Sequence, residues 1–437
     1  QKLFRELIKG IKKSQEYAEN IRSIGVDTWG VDYGILNDED ELVQLPYCYR
    51  DSRTDGVMGR VFEKISREEI YSLTGIQFMQ INTIFQLYAT KLNNPGTLQK
   101  AKTILMMPDL FNFYLTGEKN TEYTIASTSQ LLDPFNKDWQ DELFDKLKLP
   151  RSKMPAIISP GTEIGKVKSE HIENEADISA IAVGSHDTAS AVAAIPAEDD
   201  DWAFISSGTW SLIGVELAKP VVNKKALQAG FTNEGGVNDK IRFLKNVTGM
   251  WLLEECMKEW NMTKQGDTYD RLITQARERE PFKAIINPDD SVFLHPDSMP
   301  EAIRKFCLET GQTPPANKGE FVRLIFESLA LKYRHILLSL QNITDKSLKR
   351  IHIVGGGSQN DLLNQFTANS TGLEVLSGPV EATSLGNILV QMIADGKLDN
   401  VPAGRELIKN SFPGKLYKPD NYDKWDDAYK EYHELLD

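Results

Sequence analysis

Apolar and polar residues in the first half of the chain alternate in patterns that predict long helices and a few short strands. Apolar residues from Leu3 to Ile11 recur at helical spacing among lysines and glutamates, which predicts an amphipathic helix. Compact apolar runs at residues 23–26 and 178–183 predict two buried strands. A helix rich in small residues is predicted to follow the second strand, over residues 189–195.

Two further patterns lie between these strands. Residues 31–36 and 42–45 are apolar segments that flank the polar run Asn37-Asp38-Glu39-Asp40, which predicts a β-hairpin. Residues 61–144 are mostly helical in pattern and are interrupted by glycine-containing turns.

The second half shows a clearer order of elements. Three successive strands are predicted at residues 203–206, 210–216 and 241–246, and they favour an antiparallel meander. The elements predicted after them are helices at 250–260 and 319–340, a strand at 351–354, a helix at 361–370, a strand at 373–376 and a helix at 383–394. Three strands followed by alternating helices and strands are typical of a ribonuclease-H-like unit, a mixed sheet with helices on its faces.

An acidic stretch at residues 196–201 is the best candidate for a domain boundary. We therefore expect an N-terminal domain over residues 1–197 and a C-terminal domain over residues 198–437. The 437 residues are enough for two or three domains.

Composition and charge narrow the range of functions. The net charge of −13 has the wrong sign for a general binder of nucleic acid or of an anionic membrane, although a local pocket could still hold a small anion. No apolar run approaches the roughly 20 residues of a membrane helix. Cys48, Cys256 and Cys307 lie far apart without metal-ligand spacing, which favours a reducing cytoplasm and excludes a structural zinc site.

Several common catalytic motifs are absent from the sequence. There is no G-x-x-x-x-G-K-[ST] loop and no G-x-G-x-x-G between a strand and a helix, so neither a P-loop NTPase nor a Rossmann dehydrogenase is supported. H-E-x-x-H and G-x-S-x-G are missing as well.

The strongest candidate for chemistry is Ser185-His186-Asp187-Thr188, between a predicted buried strand and a predicted helix. Ligands of open α/β sheets bind at such strand ends. A carboxylate there can accept a proton from an attacking hydroxyl, and the histidine can donate a hydrogen bond to a substrate oxygen. The alternative is a helix cap, and these four residues alone favour the cap.

Two turns in the second half could bind phosphate or a nucleoside. Ser206-Ser207-Gly208-Thr209 joins two strands, and its small residues would let backbone N–H groups approach phosphate oxygens; an ordinary polar hairpin turn is the open alternative. Gly355-Gly356-Gly357 follows a strand and precedes a helix. A structural turn rarely needs three glycines, so this segment favours a nucleotide contact.

The remaining candidates are ambiguous from the residues alone. Asn246 ends a predicted strand and Glu254 stands two helical turns beyond it on about the same face. From these residues alone, a hydrogen-bonded strand end and a surface carboxylate are favoured over a binding site. Asp27-Thr28-Trp29-Gly30 and Arg50-Asp51 could contact a sugar, or could be a packed tryptophan and a surface ion pair.

Taken together and in this order, the segments resemble the FGGY family of carbohydrate kinases, and within it the enzymes that act on L-rhamnulose. The resemblance extends from the first helix to about Gln391. The matching stretches are residues 24–32, 49–54, 185–192, 206–211, 232–236, 244–246, 352–357 and 378–382.

The resemblance implies an α/β fold of two ribonuclease-H-like, actin-like ATPase domains that flank a nucleotide cleft. It also implies ATP-dependent phosphorylation of the 1-hydroxyl of L-rhamnulose, with Mg²⁺ as cofactor and with neither a nucleic acid, a membrane nor an obligate protein as partner. Asp187 would be the general base, and this context reverses the preference for a cap. Gly30, His186, Thr188 and Asn246 would bind the ketose, whereas Thr209, Glu254 and Gly357 would line the ATP site.

Two departures from the family pattern matter. The family opens with a strand and a D-x-G-x-x-[ST] turn for ATP phosphates and Mg²⁺, and neither precedes Gln1. We expect either that these elements belong to the protein but lie outside this sequence, or that the first domain lacks its leading strands and has little or no kinase activity. Glu254 stands where we expect glutamine in some relatives, and its carboxylate would repel ATP. Another ketose kinase of this family, acting on L-fuculose or xylulose, and a non-catalytic actin-like nucleotide switch are the alternative functions.

Overall fold

The protein is described by a computed structural model covering residues 2–18, 20–173, 176–262, 267–294 and 296–436. The α-helices are α1 (Lys2–Tyr17), α2 (Val57–Phe62), α3 (Arg67–Thr74), α4 (Thr83–Asn93), α5 (Pro95–Gln99), α6 (Met107–Thr116), α7 (Tyr123–Ser127), α8 (Asp141–Leu147), α9 (Asp187–Ala193), α10 (Lys224–Ala229), α11 (Trp251–Glu259), α12 (Asp267–Arg277), α13 (Met299–Glu309), α14 (Lys318–Thr344), α15 (Asp361–Thr371), α16 (Ala382–Ala394), α17 (Val401–Ser411) and α18 (Tyr422–Glu434). The strands are β1 (Ser23–Gly25), β2 (Tyr33–Leu36), β3 (Thr103–Met106), β4 (Thr121–Glu122), β5 (Leu132–Asp133), β6 (Asp138–Trp139), β7 (Ile157–Ile158), β8 (Glu163–Lys166), β9 (Ser179–Ile181), β10 (Trp202–Ser207), β11 (Trp210–Leu217), β12 (Thr232–Gly235), β13 (Ile241–Thr248), β14 (Arg350–Val354), β15 (Glu374–Ser377) and β16 (Lys415–Tyr417).

The chain forms two compact units, each assembled from three segments. The first unit consists of Gln1–Ala194, Glu216–Phe243 and Thr383–Ile408. The second consists of Ile195–Val215, Leu244–Ala382 and Lys409–Asp437. No helix in the described parts of either unit is long and apolar enough to cross a membrane.

A three-stranded sheet in the order β1-β9-β8 organises the first unit. β1 and β9 are parallel, with Ser23 opposite Ser179, which confirms both predicted strands. The predicted opening helix is confirmed as α1, and its Ile11 joins a buried apolar cluster with Phe111 and Ala180. These contacts place the apolar stripe of α1 in the core, as its spacing predicted.

The predicted hairpin at residues 31–45 is wrong in its second strand. β2 pairs antiparallel with β3 instead, and Leu42 forms only an isolated bridge with Leu36. The side chain of Asn37 accepts hydrogen bonds from the backbone N–H groups of Glu39 and Glu41, so the polar run closes on itself as a local turn. Because every residue of β2 is buried, an apolar partner strand is the better match.

The larger sheet has the strand order β12-β13-β11-β10-β14-β15-β16. β10 is antiparallel to β11 and parallel to β14, and β14 is parallel to β15. The predicted strands and the alternation of helices and strands after them are confirmed, but the simple three-strand meander is not, since β12 comes between β11 and β13 in the chain. The β12 sequence, Thr-Asn-Glu-Gly, has no apolar pattern although all four residues are buried.

Close packing of α16 on α9 in the first unit gives a stability prediction. A Cβ atom added at Gly386 would lie 1.8 Å from the carbonyl oxygen of Ser190. Gly386→Ala should therefore lower the free energy of unfolding by about 1–3 kcal/mol, measured by urea denaturation. Gly10→Ala, in α1 with nothing within 4 Å, is the matched control and should be neutral or stabilising by up to about 1 kcal/mol. Equal effects of the two substitutions would contradict the packing argument.

Candidate active site

The loop between β9 and α9 carries the strongest predicted residues, and it lies in the first unit. His186 occupies the N-cap position with extended backbone, and Asp187 is the first helical residue. Neither side chain caps the helix in the usual way, because no cap hydrogen bond is formed at His186 and Oδ1 of Asp187 accepts from the next residue, Thr188. The Asp187 side chain is 46% exposed, so its carboxylate can meet a ligand.

Backbone hydrogen bonds join this loop to the segment after β1. The N–H of Thr28 donates to the carbonyl of Ser185 at 2.9 Å, and the N–H of Asp187 donates to the carbonyl of Thr28 at 2.9 Å. The structure therefore brings together two segments that were singled out separately in the sequence. It places Gly30 in the same unit as His186, Asp187 and Thr188.

The residues next to Gly30 leave an aromatic surface open. Trp29 is partly exposed, and its indole N–H donates to Asp32 at 2.8 Å, which fixes the ring. A Cβ atom at Gly30 would lie 3.1 Å from the side chain of Thr128, so the glycine permits close approach of the two segments. An exposed indole beside a glycine can pack against the apolar face of a sugar.

A second carboxylate, Asp27, lies behind this segment. The side-chain amide of Asn387 donates to it. Burial raises the pKa of Asp27 above its ordinary value, and the nearby charge of Asp187 adds to this effect, whereas the hydrogen bond from Asn387 opposes it.

Glu122 anchors the loop between β9 and α9, and it was not among the residues predicted from the sequence. It is fully buried, caps α7 and accepts hydrogen bonds from the backbone N–H groups of Thr124 and Ile125. Its Oε2 also accepts from the N–H of Ser185 at 3.2 Å, and the hydroxyl of Thr124 accepts from the N–H of His186 at 3.1 Å. Burial raises the pKa of Glu122 to about 7.

Arg242 and Glu234 are further residues of this site that were not predicted individually. Glu234 lies within the Thr-Asn-Glu-Gly-Gly stretch that carried the family resemblance, and Arg242 follows in β13. Both are buried and form an ion pair with an N–O distance of 3.2 Å beside His186. The polar run Thr-Asn-Glu-Gly could have indicated Glu234, but the sequence alone does not show that this run is buried.

The other predicted residues, Thr209, Asn246, Glu254 and Gly357, lie in the second unit. The turn between β10 and β11 is held by the start of α11, because the N–H groups of Gly249 and Trp251 both donate to the carbonyl of Thr209. The Thr209 hydroxyl donates to the Glu254 carboxylate at 3.1 Å. Asn246 lies in β13 and is partly buried.

The three-glycine segment follows β14 and begins a short 3₁₀ helix rather than an α-helix. Gly355 has φ of 81°, a conformation that favours glycine. A Cβ atom at Gly357 would lie 2.0 Å from Oγ of Ser207, so this turn touches the β10–β11 turn. Gly356 is exposed with nothing near its missing side chain, which leaves backbone open to a flat or phosphorylated ligand.

No cluster of three or more His, Cys, Asp or Glu side chains in the described parts of the chain could hold a metal ion. Mg²⁺ commonly binds through one or two carboxylates and substrate phosphates rather than in a cage made only of protein groups.

Comparison with known proteins agrees with the fold. The N-terminal domain of the FGGY family of carbohydrate kinases matches residues 1–194, and the C-terminal domain of that family matches residues 203–394. The chain is 46% identical to "Rhamnulokinase" from Bacteroides thetaiotaomicron, over 98% of this chain and 88% of that protein. It is 43% identical to "Rhamnulokinase" from Pectobacterium atrosepticum, over 95% of this chain and 83% of that protein.

Solved structures resemble the chain over nearly its whole length. Gluconate kinase from Lactobacillus acidophilus superposes with a TM-score of 0.80 at 17% identity, covering 99% of this chain and 87% of that one. Plasmodium falciparum glycerol kinase with ADP gives a TM-score of 0.79 at 18% identity, covering 98% of this chain and 87% of that one. At such low identity these two likenesses show the fold alone.

The two-domain α/β fold and the related sequences define an enzyme of the carbohydrate kinase class. The chain belongs to the FGGY family of carbohydrate kinases. The predicted family and fold class are therefore confirmed.

The raised pKa of Glu122 predicts a pH dependence of stability. The folded protein binds a proton at Glu122 with a pKa of about 7, against 4.5 as the ordinary value, so this residue favours the folded state less and less as pH rises through that window. Relative to Glu122→Gln, the wild-type protein should lose on the order of 3 kcal/mol between about pH 4.5 and pH 8. Urea denaturation of both proteins across this range measures the difference, and a constant difference would contradict a titrating Glu122.

Proposed function

We propose that the protein transfers the γ-phosphoryl group of ATP to the 1-hydroxyl of L-rhamnulose, giving L-rhamnulose 1-phosphate and ADP in L-rhamnose degradation. The observation that carries this proposal is the half-exposed carboxylate of Asp187 at the start of α9, in the helix that follows β9, in a chain 46% identical to a rhamnulokinase. A carboxylate presented in this way can act as a general base at a strand end.

In the proposed reaction, the oxygen of the sugar hydroxyl forms a bond to the γ-phosphorus as its proton passes to Asp187. The bond from the γ-phosphorus to the bridging oxygen of ADP breaks, and ADP leaves with that electron pair. Little covalent chemistry is required of the protein, so orientation and charge placement supply most of the catalysis. Mg²⁺ bound to the ATP phosphates would reduce their negative charge.

The remaining residues take the roles that the resemblance implied. Gly30, His186 and Thr188 would hold the ketose, as would Asn246. Thr209 would approach the ATP phosphates through its hydroxyl, which donates to Glu254. Gly357 would contact the adenosine, which the open backbone at its neighbour Gly356 supports.

We also propose a division into an N-terminal domain at residues 1–197 and a C-terminal domain at residues 198–437. The two family domains, matching residues 1–194 and 203–394, support this division. A cytoplasmic location and the absence of nucleic-acid, membrane or obligate protein partners belong to the same proposal. The free Cys48, Cys256 and Cys307 support a reducing compartment.

ADP release by the full-length protein with L-rhamnulose, L-fuculose and D-xylulose tests the proposal. Sugar-dependent turnover is expected with L-rhamnulose, and Asp187→Asn should lower kcat by about 10²- to 10⁴-fold with little effect on ATP binding. Asp399→Asn, at an exposed position, is the matched control and should retain full activity. Faster turnover with L-fuculose or D-xylulose would show that the proposed substrate is wrong. Slow ATP hydrolysis that needs no sugar would favour a nucleotide switch.

Glu254 should weaken ATP binding through its charge. Replacing it by glutamine keeps a hydrogen-bond acceptor for Thr209 but removes the repulsion, worth about 1 kcal/mol for two charges roughly 4 Å apart in a water-like environment. Glu254→Gln should lower KM for ATP by roughly fivefold. Initial rates at varied ATP measure the change, with exposed Glu309→Gln as the control, and an unchanged or raised KM would show that the carboxylate does not oppose ATP.

A further inference from the structure

The imidazole of His186 lies between a buried ion pair and the proposed base. On one side, Nδ1 is 3.1 Å from Nη2 of Arg242 and 3.3 Å from Oε2 of Glu234. On the other side, Nε2 is 3.0 Å from the hydroxyl of Thr188. The same hydroxyl is 3.1 Å from Oδ1 of Asp187.

The chemistry of arginine determines which atom donates and which accepts in these hydrogen bonds. A guanidinium can only donate hydrogen bonds, so a hydrogen bond from Arg242 requires Nδ1 of His186 to be the acceptor. A neutral imidazole that accepts at Nδ1 carries its proton at Nε2. Nε2–H then donates to Thr188, whose own hydroxyl proton is directed to Oδ1 of Asp187.

Arg242 is held so that it can play this part. Its side chain has no exposed surface, and its Nε donates to the carbonyl of Gly235 at 2.8 Å, which fixes the plane of the guanidinium. Glu234 balances its charge at 3.2 Å. Burial lowers the pKa of Arg242, and the carboxylates of Glu234, Asp187 and Glu122 oppose that effect.

The competing arrangement is a hydrogen bond from His186 to the carboxylate of Glu234. If its carboxylate accepted a hydrogen bond from a protonated Nδ1, Nε2 would become the acceptor and Thr188 would donate to His186 instead of to Asp187. The contact from Arg242 meets hydrogen-bond geometry at 3.1 Å, whereas Glu234 is at ion-pair distance, 3.3 Å. The geometry therefore favours the arrangement set by arginine.

We infer that Arg242 is a positioning residue that directs a one-way chain of hydrogen bonds from Arg242 through His186 and Thr188 to Asp187. The inference deepens the proposed function, because it rests on Asp187 as the base. Two donors from Thr188, its N–H at 2.6 Å and its hydroxyl at 3.1 Å, then hold Oδ1. This orients Oδ2 as the atom that receives the substrate proton.

The tautomer of His186 can be observed directly and without any assay of activity. The full-length protein labelled with [¹⁵N]histidine would be measured by two-bond ¹H–¹⁵N correlation, and the resonances of His186 assigned by their loss in His186→Gln. We expect a single neutral tautomer with the proton on Nε2 and a bare Nδ1. A proton on Nδ1, on both nitrogens, or an exchanging mixture would overturn the inference even if the enzyme were a rhamnulose kinase.

Paired variants test the link from tautomer to catalysis. Arg242→Lys keeps a charged donor, whereas Arg242→Met combined with Glu234→Gln removes both charges and leaves no lone buried carboxylate. The double variant should lose the single tautomer and lower kcat by up to about 100-fold with KM for ATP unchanged. The single variant Arg242→Lys should retain the tautomer and most of the wild-type kcat.

A double variant with altered tautomer and wild-type kcat would show that Arg242 does not position the base. An intact tautomer in that variant would show that other groups set it. If the wild-type protein has the expected tautomer but phosphorylates no ketose, the proposed function fails while the hydrogen-bond chain stands, so the two failures are distinguishable.

Discussion

The arrangement of the first unit depends on the parallel pairing of β1 with β9. Its register sets Ser23 opposite Ser179 and Gly25 opposite Ile181. Beyond the strand ends the two segments meet again at an isolated parallel bridge between Thr28 and His186, where the register has shifted by two residues. Because both strands run in the same direction, their carboxyl ends meet at one edge, and the candidate residues that follow the two strands lie there together.

Burial of charged and polar groups around this edge is what fixes the loop that carries Asp187. Glu122, Glu234 and Arg242 are almost or fully buried, and such groups cost stability unless each is paired or hydrogen-bonded. Two of their hydrogen bonds, from the N–H of Ser185 to Glu122 and between Arg242 and His186, also hold residues 185 and 186 in place. Burying these groups therefore costs folding free energy and at the same time holds the loop in one orientation. Such a cost is expected where a reacting group must be oriented.

The sequence was informative where pattern and periodicity are local. The apolar runs of β1, β9, β10 and β14 were recognisable because each is flanked by turn residues, and the helices after β14 followed from their spacing. β12 was not predicted because its buried residues are polar and show no apolar pattern. The predicted hairpin is reduced to its turn and a single bridge between Leu36 and Leu42, because β2 pairs instead with β3, about seventy residues further along the chain.

Candidate residues show the same contrast. Asp187 and its neighbours could be singled out because a Ser-His-Asp-Thr run between a strand and a helix is uncommon, but choosing base over cap required the family resemblance. Glu122 could not be found, since a glutamate at a helix start looks like an ordinary cap until its contact with Ser185 is seen. Long-range hydrogen bonds of this kind leave no local trace in the sequence.

The two units handle charge in different ways, and the difference suits phosphoryl transfer. In the first unit a carboxylate is held by side-chain and backbone donors whose polarity originates at a buried arginine. In the second unit the exposed elements are glycine backbone and a threonine hydroxyl, which can follow the shape of a nucleotide without adding a fixed charge. Glu254 is the exception, since its carboxylate accepts a hydrogen bond from Thr209, whose hydroxyl is proposed to meet phosphate. The acceptor at that position satisfies the Thr209 hydroxyl, and its negative charge works against a phosphate that approaches the same hydroxyl.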